Sequence, residues 1–474
     1  MLVTCGGNGH GSAMSLHLSF SSPMLPETLK LRRQKLADLI DVPVILWSGG
    51  SSSRNFPANV FPFRASSHFL YFAGLPLENA AIRLDGKLTL FLDESSQASA
   101  LWHGASPTRD EIATAIGADA AYPRSALKDW VTDAATVAVQ DSPTRLEQAR
   151  LLDRPISAAN HPSSIDLKLA NTIVTLRLIQ DDAAIAEIRK AIAVTVKAHQ
   201  AGMSATLNAT VEAEVRAAME GVIMANGMTC AYGSIVTVHG EVLHNDRYHH
   251  PLRSTDLLLA DVGAETATGW ASDVTRTWAT SGKFSPTQRD LYNVVLAAHD
   301  ACIAAIRPGV EYREIHLLAG HTIAAGLVDL GILRGQPADL VERDAHALFF
   351  PHGVGHILGL DVHDMEDLGD LAGYAPGRTR SPRFGLGYLR LDRPLQSGMV
   401  VTIEPGFYQV PAILQDSERR EKYRDVVNWE RLADFSDVRG IRIEDDVLVT
   451  ETGSEVLTAA LPTSVEAIEQ LVRS

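Results

Sequence analysis

The stretch FFPHGVGHILGLDVHD, residues 349–364, sets side chains that can bind metal or carry protons among apolar ones. His352, His356 and His363 stand here beside valine, isoleucine and leucine. A buried core strand has no use for three imidazoles, and a solvated loop has no use for so many apolar residues. A single histidine in such a setting is most often a hydrogen-bonded core residue. Three histidines in one apolar stretch could instead bind a metal ion together with acidic residues from elsewhere in the chain.

Two aspartates accompany strand-like segments. Asp261 ends the apolar run LLLAD, and Asp273 lies twelve residues further on, in an alternating segment. A glycine-containing turn between them would form a hairpin, so both carboxylates could reach one face of it. Taken singly, Asp261 is better explained as a turn cap and Asp273 as a surface residue.

Two glutamates lie in equally apolar strands. Glu404 ends the run VVTIE and is followed by Pro-Gly, and Glu444 lies in RIEDDVLVT. Arg442 shares a strand face with Glu444, because side chains alternate across a strand. A buried salt bridge or a charged edge strand would also explain this pattern. Four carboxylates in apolar strands nevertheless have to be paired or bound to cations.

Together with His356, the four carboxylates form an oxygen-rich ligand set. Such a set suits Mn²⁺, with Co²⁺ and Zn²⁺ as less selective alternatives. A single catalytic zinc ion usually takes three protein ligands, fewer than are present here. Two divalent ions roughly 3.5–4 Å apart would use all of them and would activate a water molecule. The sequence therefore predicts a dinuclear hydrolase with the metal ligands Asp261, Asp273, His356, Glu404 and Glu444.

Composition narrows the class of protein. A chain of 474 residues is too long for one ordinary core, and its net charge of −15 argues against nucleic-acid binding. No apolar run approaches the ~18 residues of a membrane span, and the first residues lack the features of a secretory signal. Cys5, Cys230 and Cys302 form no CxxC motif and no even framework. We therefore expect a reduced, cytoplasmic protein that binds no membrane.

The first part of the chain alternates short strands with helices. This alternation predicts an α/β domain, and the Gly-rich start predicts a disordered tail ahead of it. We place the tail at residues 1–23 and the domain at residues 24–175. The predicted strands lie at 42–49, 70–75, 80–84 and 88–93.

The second part, residues 176–474, changes to long amphipathic helices interspersed with strands. Its pattern predicts an α+β domain, with helices laid on a largely antiparallel sheet. The predicted helices lie at 176–203, 211–227, 285–309 and 313–331.

The order of the five ligands resembles that of the pita-bread metallopeptidases, a family that includes methionine aminopeptidase, aminopeptidase P and prolidase. HGVGHILGLDVHD, IEPGFY and RIEDDVLVT are similar to the histidine motif and the two glutamate motifs of this family. FRASSHFLYFAG, residues 63–74, looks like the creatinase-like N-terminal domain of aminopeptidase P and prolidase. The resemblance implies a pita-bread catalytic domain behind a smaller creatinase-like α/β domain, and by analogy a homodimer.

The resemblance also implies a role for each ligand. Asp261 and Glu444 look like the ligands shared between the two ions. Asp273 and Glu404 complete the pair, and His356 holds one ion. Glu404 would in addition act as the general base toward the attacking water.

Other histidines of the motifs receive roles by the same resemblance. His363 is similar to the histidine that contacts the scissile peptide, and His244 to an upstream histidine near the substrate. Asn245 follows His244 where the family more often has an aromatic residue. His352 is interpreted as structural, and Asp364 as a residue that orients its neighbours.

Two features favour a dipeptidase, prolidase, over aminopeptidase P. Glu444 follows Glu404 by 40 residues, and the charged insertion DSERREKYRDVVNWERL lies between them, as in prolidases. Arg390 resembles the prolidase arginine that binds the free carboxylate of the substrate, with Arg393 as a rival and Arg442 as a further substrate contact. We therefore expect hydrolysis of small peptides with proline at the second position. The alternative is aminopeptidase P, to which FRASSHFLYFAG belongs equally well.

Two further functions on the same fold are less well supported. A pita-bread domain that only binds partners would have lost ligands, and none of the five is missing. A creatine-type hydrolase needs no metal, so the same complete ligand set argues against it.

Overall fold

The computed structural model of the protein describes residues 26–162 and 164–474. The predicted tail at residues 1–23 lies outside the described residues. The first helices are α1 (Pro26–Leu39), α2 (Ser67–Ala73), α3 (Gln97–His103), α4 (Arg109–Ile116), α5 (Ser142–Leu151) and α6 (Ser164–Arg177). The first strands are β1 (Val44–Trp47), β2 (Ser53–Phe56), β3 (Asn59–Val60), β4 (Ala81–Leu84), β5 (Leu88–Phe91) and β6 (Ala120–Tyr122).

A four-stranded sheet organises this N-terminal part. Its strand order is β1-β4-β5-β6, with antiparallel pairs except for the parallel pair β5–β6. Every residue of β1 and β5 is buried, because apolar side chains cover both faces of the sheet. The sheet and its surrounding helices confirm the α/β character predicted for this part.

One predicted strand is wrong. Residues 70–75 were expected to be extended, but residues 67–73 form helix α2, all of whose residues are buried. A short apolar run has no period that distinguishes a buried strand from a buried helix. The signal for the helix end is Gly74, which adopts a left-handed conformation and donates its N–H to the carbonyl oxygen of Leu70.

The second part contains the longer helices. They and the shorter ones after them are α7 (Asp182–Thr206), α8 (Glu212–Ala225), α9 (Pro286–Ala305), α10 (Tyr312–Asp329), α11 (Pro337–Glu342), α12 (Asp370–Gly373), α13 (Pro411–Leu414), α14 (Ser417–Lys422), α15 (Trp429–Ala433) and α16 (Val465–Val472). The strands are β7 (Thr229–Cys230), β8 (Ile235–Thr237), β9 (Leu257–Asp261), β10 (Ala264–Glu265), β11 (Thr275–Ala279), β12 (Val400–Ile403), β13 (Gly406–Tyr408), β14 (Gly440–Arg442), β15 (Asp445–Val449) and β16 (Ser454–Val456).

Small antiparallel sheets carry the residues of interest. One has the order β11-β9-β8 and another the order β12-β15-β16. An isolated bridge from Thr275 to Glu444 ties the two together, and another from Ile357 to Val401 joins the histidine segment to the second sheet. The helix pairs α7–α8 and α9–α10 pack around these sheets. The predicted arrangement of helices on antiparallel strands is confirmed, and the four long helices begin and end within six residues of the predicted bounds.

The hairpin predicted between Asp261 and Asp273 is present. β9 pairs with β11 so that Asp261 lies opposite Thr275. Asp273 precedes Thr275 by two residues, and alternate residues of a strand point to the same face. Both carboxylates therefore lie on one face of the hairpin.

The N-terminal part is anchored on the second part by charged and aromatic side chains. Arg32 of α1 donates from Nε to Asp181, the N-cap residue of α7, at 2.8 Å. Its guanidinium lies 4.3 Å from the ring centroid of Tyr71 and 5.3 Å from that of Trp270. Within the described ranges, no helix is long and apolar enough to cross a membrane.

Gly263, in the hairpin that follows Asp261, has no room for a side chain. A Cβ there would overlap the carbonyl oxygen of Ser272 and would come within 2.9 Å of Tyr232. We predict that Gly263→Ala lowers the free energy of unfolding by about 1–3 kcal/mol, because the strands must separate to admit the methyl group. The measurement is chemical denaturation of the purified variant.

The matched control is Gly221→Ala. Gly221 lies inside helix α8 with open space around its Cβ position, so alanine should be neutral or slightly stabilising there. Equal stabilities for the two variants would show that the hairpin tolerates separation.

Candidate active site

The five predicted ligands converge on one buried place. Three overlapping groups of side chains have donor atoms within 4.8 Å of one another, and Glu444 and Asp273 each belong to two of the groups. The two strand pairs described above deliver the carboxylates, and the segment that follows α11 delivers the histidine. The groups are Asp261–Asp273–Glu444, His356–Glu404–Glu444 and Asp273–His356–His363.

His356 has the geometry of a ligand. Its Nδ1 lies 3.1 Å from the carbonyl oxygen of Ile357, which holds the proton on that nitrogen. Nε2 is then left with a lone pair, 3.3 Å from Asp273 Oδ2 and 3.6 Å from Glu404 Oε1. Burial lowers the pKa of His356, so the neutral ring that metal binding requires is favoured.

Asp273, Glu404 and Glu444 hold protons more tightly than carboxyl groups in water. Burial, reinforced by the Asp261 carboxylate, raises the pKa of Asp273 to about 8. Burial raises the pKa of Glu404 to about 7, and burial and Asp273 raise the pKa of Glu444 well above its usual range. Buried acids at such distances need either protons or cations between them. The residues therefore fit divalent metal ions, which would replace the protons.

Tyr232 is a residue of the cluster that the sequence did not reveal. Its hydroxyl lies 2.5 Å from Asp261 Oδ1 and 2.6 Å from Asp273 Oδ1. A tyrosine has one proton to donate, so the second contact requires a proton from a carboxyl group. The raised pKa of Asp273 supplies that proton in the metal-free site. Nothing in the sequence CAYGSIV distinguishes this tyrosine from a core residue.

Arg442 is buried and holds the acidic cluster in place through hydrogen bonds. Its Nη2 donates to Asp261 Oδ2 at 2.6 Å, its Nη1 to the hydroxyl of Tyr408 at 3.0 Å, and its Nε to Thr275 Oγ1 at 3.0 Å. The sequence predicted a substrate contact for Arg442. The structure gives the guanidinium the further task of orienting Asp261, whose two oxygens are both occupied by donors.

His363 and Arg390 meet at Glu366. His363 Nδ1 lies 2.6 Å from Glu366 Oε2, and Arg390 donates from Nε to Glu366 Oε1 at 3.1 Å. The His363 ring stands edge-on to His356, with 4.3 Å between centroids. Burial lowers the pKa of His363, and the Glu366 hydrogen bond opposes this effect. Both predicted substrate contacts thus border the ligand cluster.

The remaining predicted histidines lie on the wall of the same cavity. The side chain of His244 is partly exposed to solvent. Partial burial of its ring and the nearby charge of Arg442 lower the pKa of His244. His352 contacts the Tyr408 hydroxyl through Nε2 at 2.9 Å and lies 3.7 Å from Glu404 Oε2. Burial lowers the pKa of His352 to about 3, so the ring is neutral and acts as a support for Glu404.

The rival arginine lies elsewhere. Arg393 is buried and donates to the carbonyl oxygens of Leu371 and Tyr374, and it does not line the cavity. Arg390 does line it, with its side chain about one third exposed. Of the two candidates for a substrate carboxylate, the structure places Arg390 within reach of the cavity.

Residues of the N-terminal part hold the loop that carries His363. Arg64 donates to the carbonyl oxygen of Leu360 at 2.5 Å, and Ser67 donates to Asp361 Oδ1 at 2.7 Å. Arg64 also forms an ion pair with Glu265 at 3.1 Å, so it joins the loop to strand β10. These residues belong to FRASSHFLYFAG, which the sequence identified only as a domain marker.

A second set of contacts secures the same loop. His68 Nε2 lies 3.0 Å from Asp367 Oδ2, and Arg177 donates from Nη1 to His68 Nδ1 at 2.9 Å. Arg177 also donates from Nη2 to Asp364 Oδ1 at 2.6 Å. The predicted orienting role of Asp364 is thus exerted on the loop backbone through Arg177 and through the N–H of Asp361.

The five predicted ligands line one cavity of about 620 Å³, together with His244, His352, His363, Arg390 and Arg442. The acids and His356 form its floor, and His244, His352 and His363 form its middle. Its outer wall comes from two further segments of the chain. The lining residues of that wall are Arg380, Phe384, Tyr388, Arg390, Ala412, Ile413 and Arg419.

A cavity with four buried carboxylates and a neutral histidine at its floor is the arrangement of a metal-dependent hydrolase. Residues 186–451 match metallopeptidase family M24. Residues 29–140 match the aminopeptidase P N-terminal domain. The chain belongs to metallopeptidase family M24 and carries an N-terminal domain of the aminopeptidase P type.

Individual relatives and solved structures support the same family assignment. The chain is 33% identical over 420 residues to a probable Xaa-Pro aminopeptidase of Fusarium vanettenii, a match that covers 84% of this chain and 85% of the relative. Aminopeptidase PepP of Pseudomonas aeruginosa has a similar structure, with a TM-score of 0.77, 28% identity and coverage of 94% of this chain and 98% of that one. Aminopeptidase P of E. coli with the inhibitor Pro-Leu gives a TM-score of 0.76, 26% identity and coverage of 95% and 99%.

These comparisons confirm the predicted fold, a pita-bread catalytic domain behind a smaller N-terminal domain. They also confirm a metallopeptidase of the Xaa-Pro type. The names of the relatives favour aminopeptidase P, the alternative, over the prolidase that the sequence favoured.

The raised pKa values generate a prediction about pH. Unfolded Asp and Glu have pKa values near 4, so the protons held by Asp273 and Glu404 stabilise the metal-free fold below about pH 4. That stabilisation is lost as the pH rises through about 7 and 8, the folded-state pKa values of Glu404 and Asp273. We expect the Tm of the chelator-treated protein to fall between pH 6 and 8.5.

Metal binding should change with pH in the opposite direction, because the ions displace those protons. Affinity for Mn²⁺ should rise by about tenfold per pH unit between pH 6 and 7. Isothermal titration calorimetry in buffers of different ionisation enthalpy measures both the affinity and the protons released. Binding without proton release would contradict the assignment of raised pKa values.

The contacts from the N-terminal part generate a second prediction. Arg64→Ala should lower kcat by about tenfold or more with the metal content unchanged, because the loop bearing His363 loses its anchor while the five ligands keep theirs. Arg54→Ala, on the exposed β2 strand of the same part, is the control and should be silent. A normal kcat in Arg64→Ala would show that the loop holds its position unaided.

Proposed function

We propose that this chain is an Xaa-Pro aminopeptidase, which releases the first residue of peptides that have proline in second position. The observation that carries the proposal is the convergence of Asp261, Asp273, His356, Glu404 and Glu444 on the floor of a cavity. The names of the relatives, Xaa-Pro aminopeptidases, support the choice of substrate.

A dipeptidase is the second candidate, and a specific observation favours it. Arg390 lies at the cavity, beside His363, where it could bind the free carboxylate of an Xaa-Pro dipeptide. Arg390 could also contact the backbone of a longer peptide. Kinetics on peptides of two lengths therefore distinguish the two candidates.

We propose that the site holds two divalent ions, with Mn²⁺ as the native metal. The two groups that share Glu444 would each hold one ion, and the overlap of the groups favours Asp273 as the second shared ligand in place of Asp261. When bound, the ions would supply Lewis-acid activation of water and of the scissile carbonyl group.

The protein's own residues perform the proton transfers and the positioning. Glu404 accepts a proton from the attacking water and delivers it to the leaving proline nitrogen. His363, supported by Glu366, hydrogen-bonds the substrate carbonyl oxygen as negative charge develops on it. His244 contacts the substrate from the opposite wall, and Arg442 keeps Asp261 in place.

The decisive experiment compares substrates of two lengths. With Mn²⁺ added, the protein should cleave Ala-Pro-Ala with a kcat/KM at least about tenfold above that for Ala-Pro, because the relatives are named Xaa-Pro aminopeptidases and the outer wall of the cavity offers Ile413 and Arg419 as well as Arg390. A chelator should abolish both activities. A preference for Ala-Pro would establish the dipeptidase instead, and no cleavage of either peptide would refute Xaa-Pro hydrolysis.

Glu404→Gln is the internal control. It keeps an oxygen ligand but removes the base, so kcat should fall by about 10²-fold or more. Metal analysis of the variant must accompany the kinetics, because Glu404 is also a ligand. Undiminished turnover would remove Glu404 from the role of base.

A further inference from the structure

The insertion between the two glutamate motifs reaches the cavity. Helices α13, α14 and α15 lie in this segment, between Glu404 and Glu444. Three of its residues, Ala412, Ile413 and Arg419, line the outer wall. The hydrolytic chemistry described above uses none of them, so the segment has a different task at the cavity.

Arg419 packs on an aromatic ring and has a long ion pair as its one acidic contact among the described residues. Its guanidinium carbon lies 4.7 Å from the ring centroid of Phe384, which is also a wall residue. Its nearest acidic partner is Asp416, with Nη1 3.6 Å from Oδ1, beyond hydrogen-bond distance. In the parts of the chain that the structure describes, the guanidinium donates no hydrogen bond. A stacked guanidinium with free donors is suited to bind a planar anion.

The two other arginines of the wall are engaged. Arg390 donates to Glu366, and Arg380 donates to Asp370 and to the carbonyl oxygen of Leu389. Among the described residues of the outer wall, Arg419 is therefore the arginine whose guanidinium makes no hydrogen bond to a protein acceptor, whereas Arg390 uses its Nε in this way. Its side chain is 38% exposed, so a ligand can reach it from the cavity.

The two ends of the cavity carry opposite charges. Its floor is acidic, and its outer wall carries three guanidinium groups, in a chain whose net charge is −15. A peptide is polarised in the same way, with an ammonium group at one end and a carboxylate at the other. With the scissile bond beside His363, next to the acidic floor, residues beyond proline would extend toward the outer wall.

We propose that Arg419 forms an outer carboxylate subsite, which binds a peptide carboxylate one residue beyond proline. The inference rests on the proposed function and names the recognition element for longer substrates. The carboxylate could be the C-terminus of a tripeptide or the side chain of an acidic third residue. Both present the same planar pair of oxygens to the guanidinium fork.

The test compares Arg419→Ala with wild type on matched peptides. Ala-Pro-Ala carries a terminal carboxylate, its C-terminal amide carries none, and the amide of Ala-Pro-Glu carries one on the side chain. The loss of one charge-assisted hydrogen bond should lower kcat/KM for Ala-Pro-Ala about tenfold more than for its amide, chiefly through KM. A like loss on the Ala-Pro-Glu amide would add acidic side chains as ligands, and no such loss would restrict the subsite to C-termini.

Arg424→Ala is the matched control. Arg424 lies in the same insertion, pairs with Glu421 and is 72% exposed, and it does not line the cavity. This variant removes the same charge and should leave all ratios as in wild type. Equal losses for Ala-Pro-Ala and its amide in Arg419→Ala, or a loss in Arg424→Ala of the same size, would overturn the subsite.

A binding measurement separates this inference from the proposed function. Calorimetric titration of the Mn²⁺-loaded protein with Pro-Ala and with Pro-Ala amide requires no turnover. Wild type should prefer the acid, and Arg419→Ala should lose that preference, even if no Xaa-Pro peptide were cleaved. Turnover of Ala-Pro-Ala without any acid preference in binding would leave the peptidase standing and remove the subsite.

Discussion

Mutual repulsion among buried carboxylates is the constraint that organises this molecule. Asp261, Asp273, Glu404 and Glu444 are brought within a few ångströms of one another in a place largely closed to water. Such a group is tolerated only with positive charge among its members. Protons supply part of it in the metal-free chain, as the raised pKa of Asp273 shows, and Arg442 supplies another part from beneath.

Hydrogen bonds from neighbouring side chains and a backbone bridge hold the acidic cluster in place. Tyr232 bridges two acids, Thr275 donates to Glu444 at 2.6 Å, and the backbone bridge between these two residues joins the two sheets. His363, by contrast, lies on a loop that the N-terminal part holds in place. The predicted metal ligands and the predicted substrate contact are thus held by different parts of the chain.

Much of this could be predicted from the sequence because the ligands lie in short, distinctive neighbourhoods. Asp261 and Asp273 flank a hairpin, and Glu404 and Glu444 end or interrupt apolar strands, where a carboxylate is expensive without a cation. The long helices were predictable for a similar reason, since their apolar residues recur with a helical period over many turns.

What the sequence could not supply are contacts between distant residues of ordinary type. Tyr232, Arg177 and the arrangement of Arg64 have no local signature, because their importance depends on partners that folding brings together. Helix α2 was mistaken for a strand because complete burial removes the periodicity. The names of the relatives favour aminopeptidase P over the predicted dipeptidase, and neither Arg390 nor the charged insertion carries a local signal of substrate length. The predicted homodimer and cytoplasmic location stay predictions.

The placement of Glu444 has a consequence for the birth of the protein. Asp273 leaves the ribosome 171 residues ahead of Glu444. Synthesis proceeds in that order, and early segments can fold first. The hairpin can therefore form while the set of carboxylates still lacks its last member. Any ion that requires Glu444 would bind only after that residue has been synthesised.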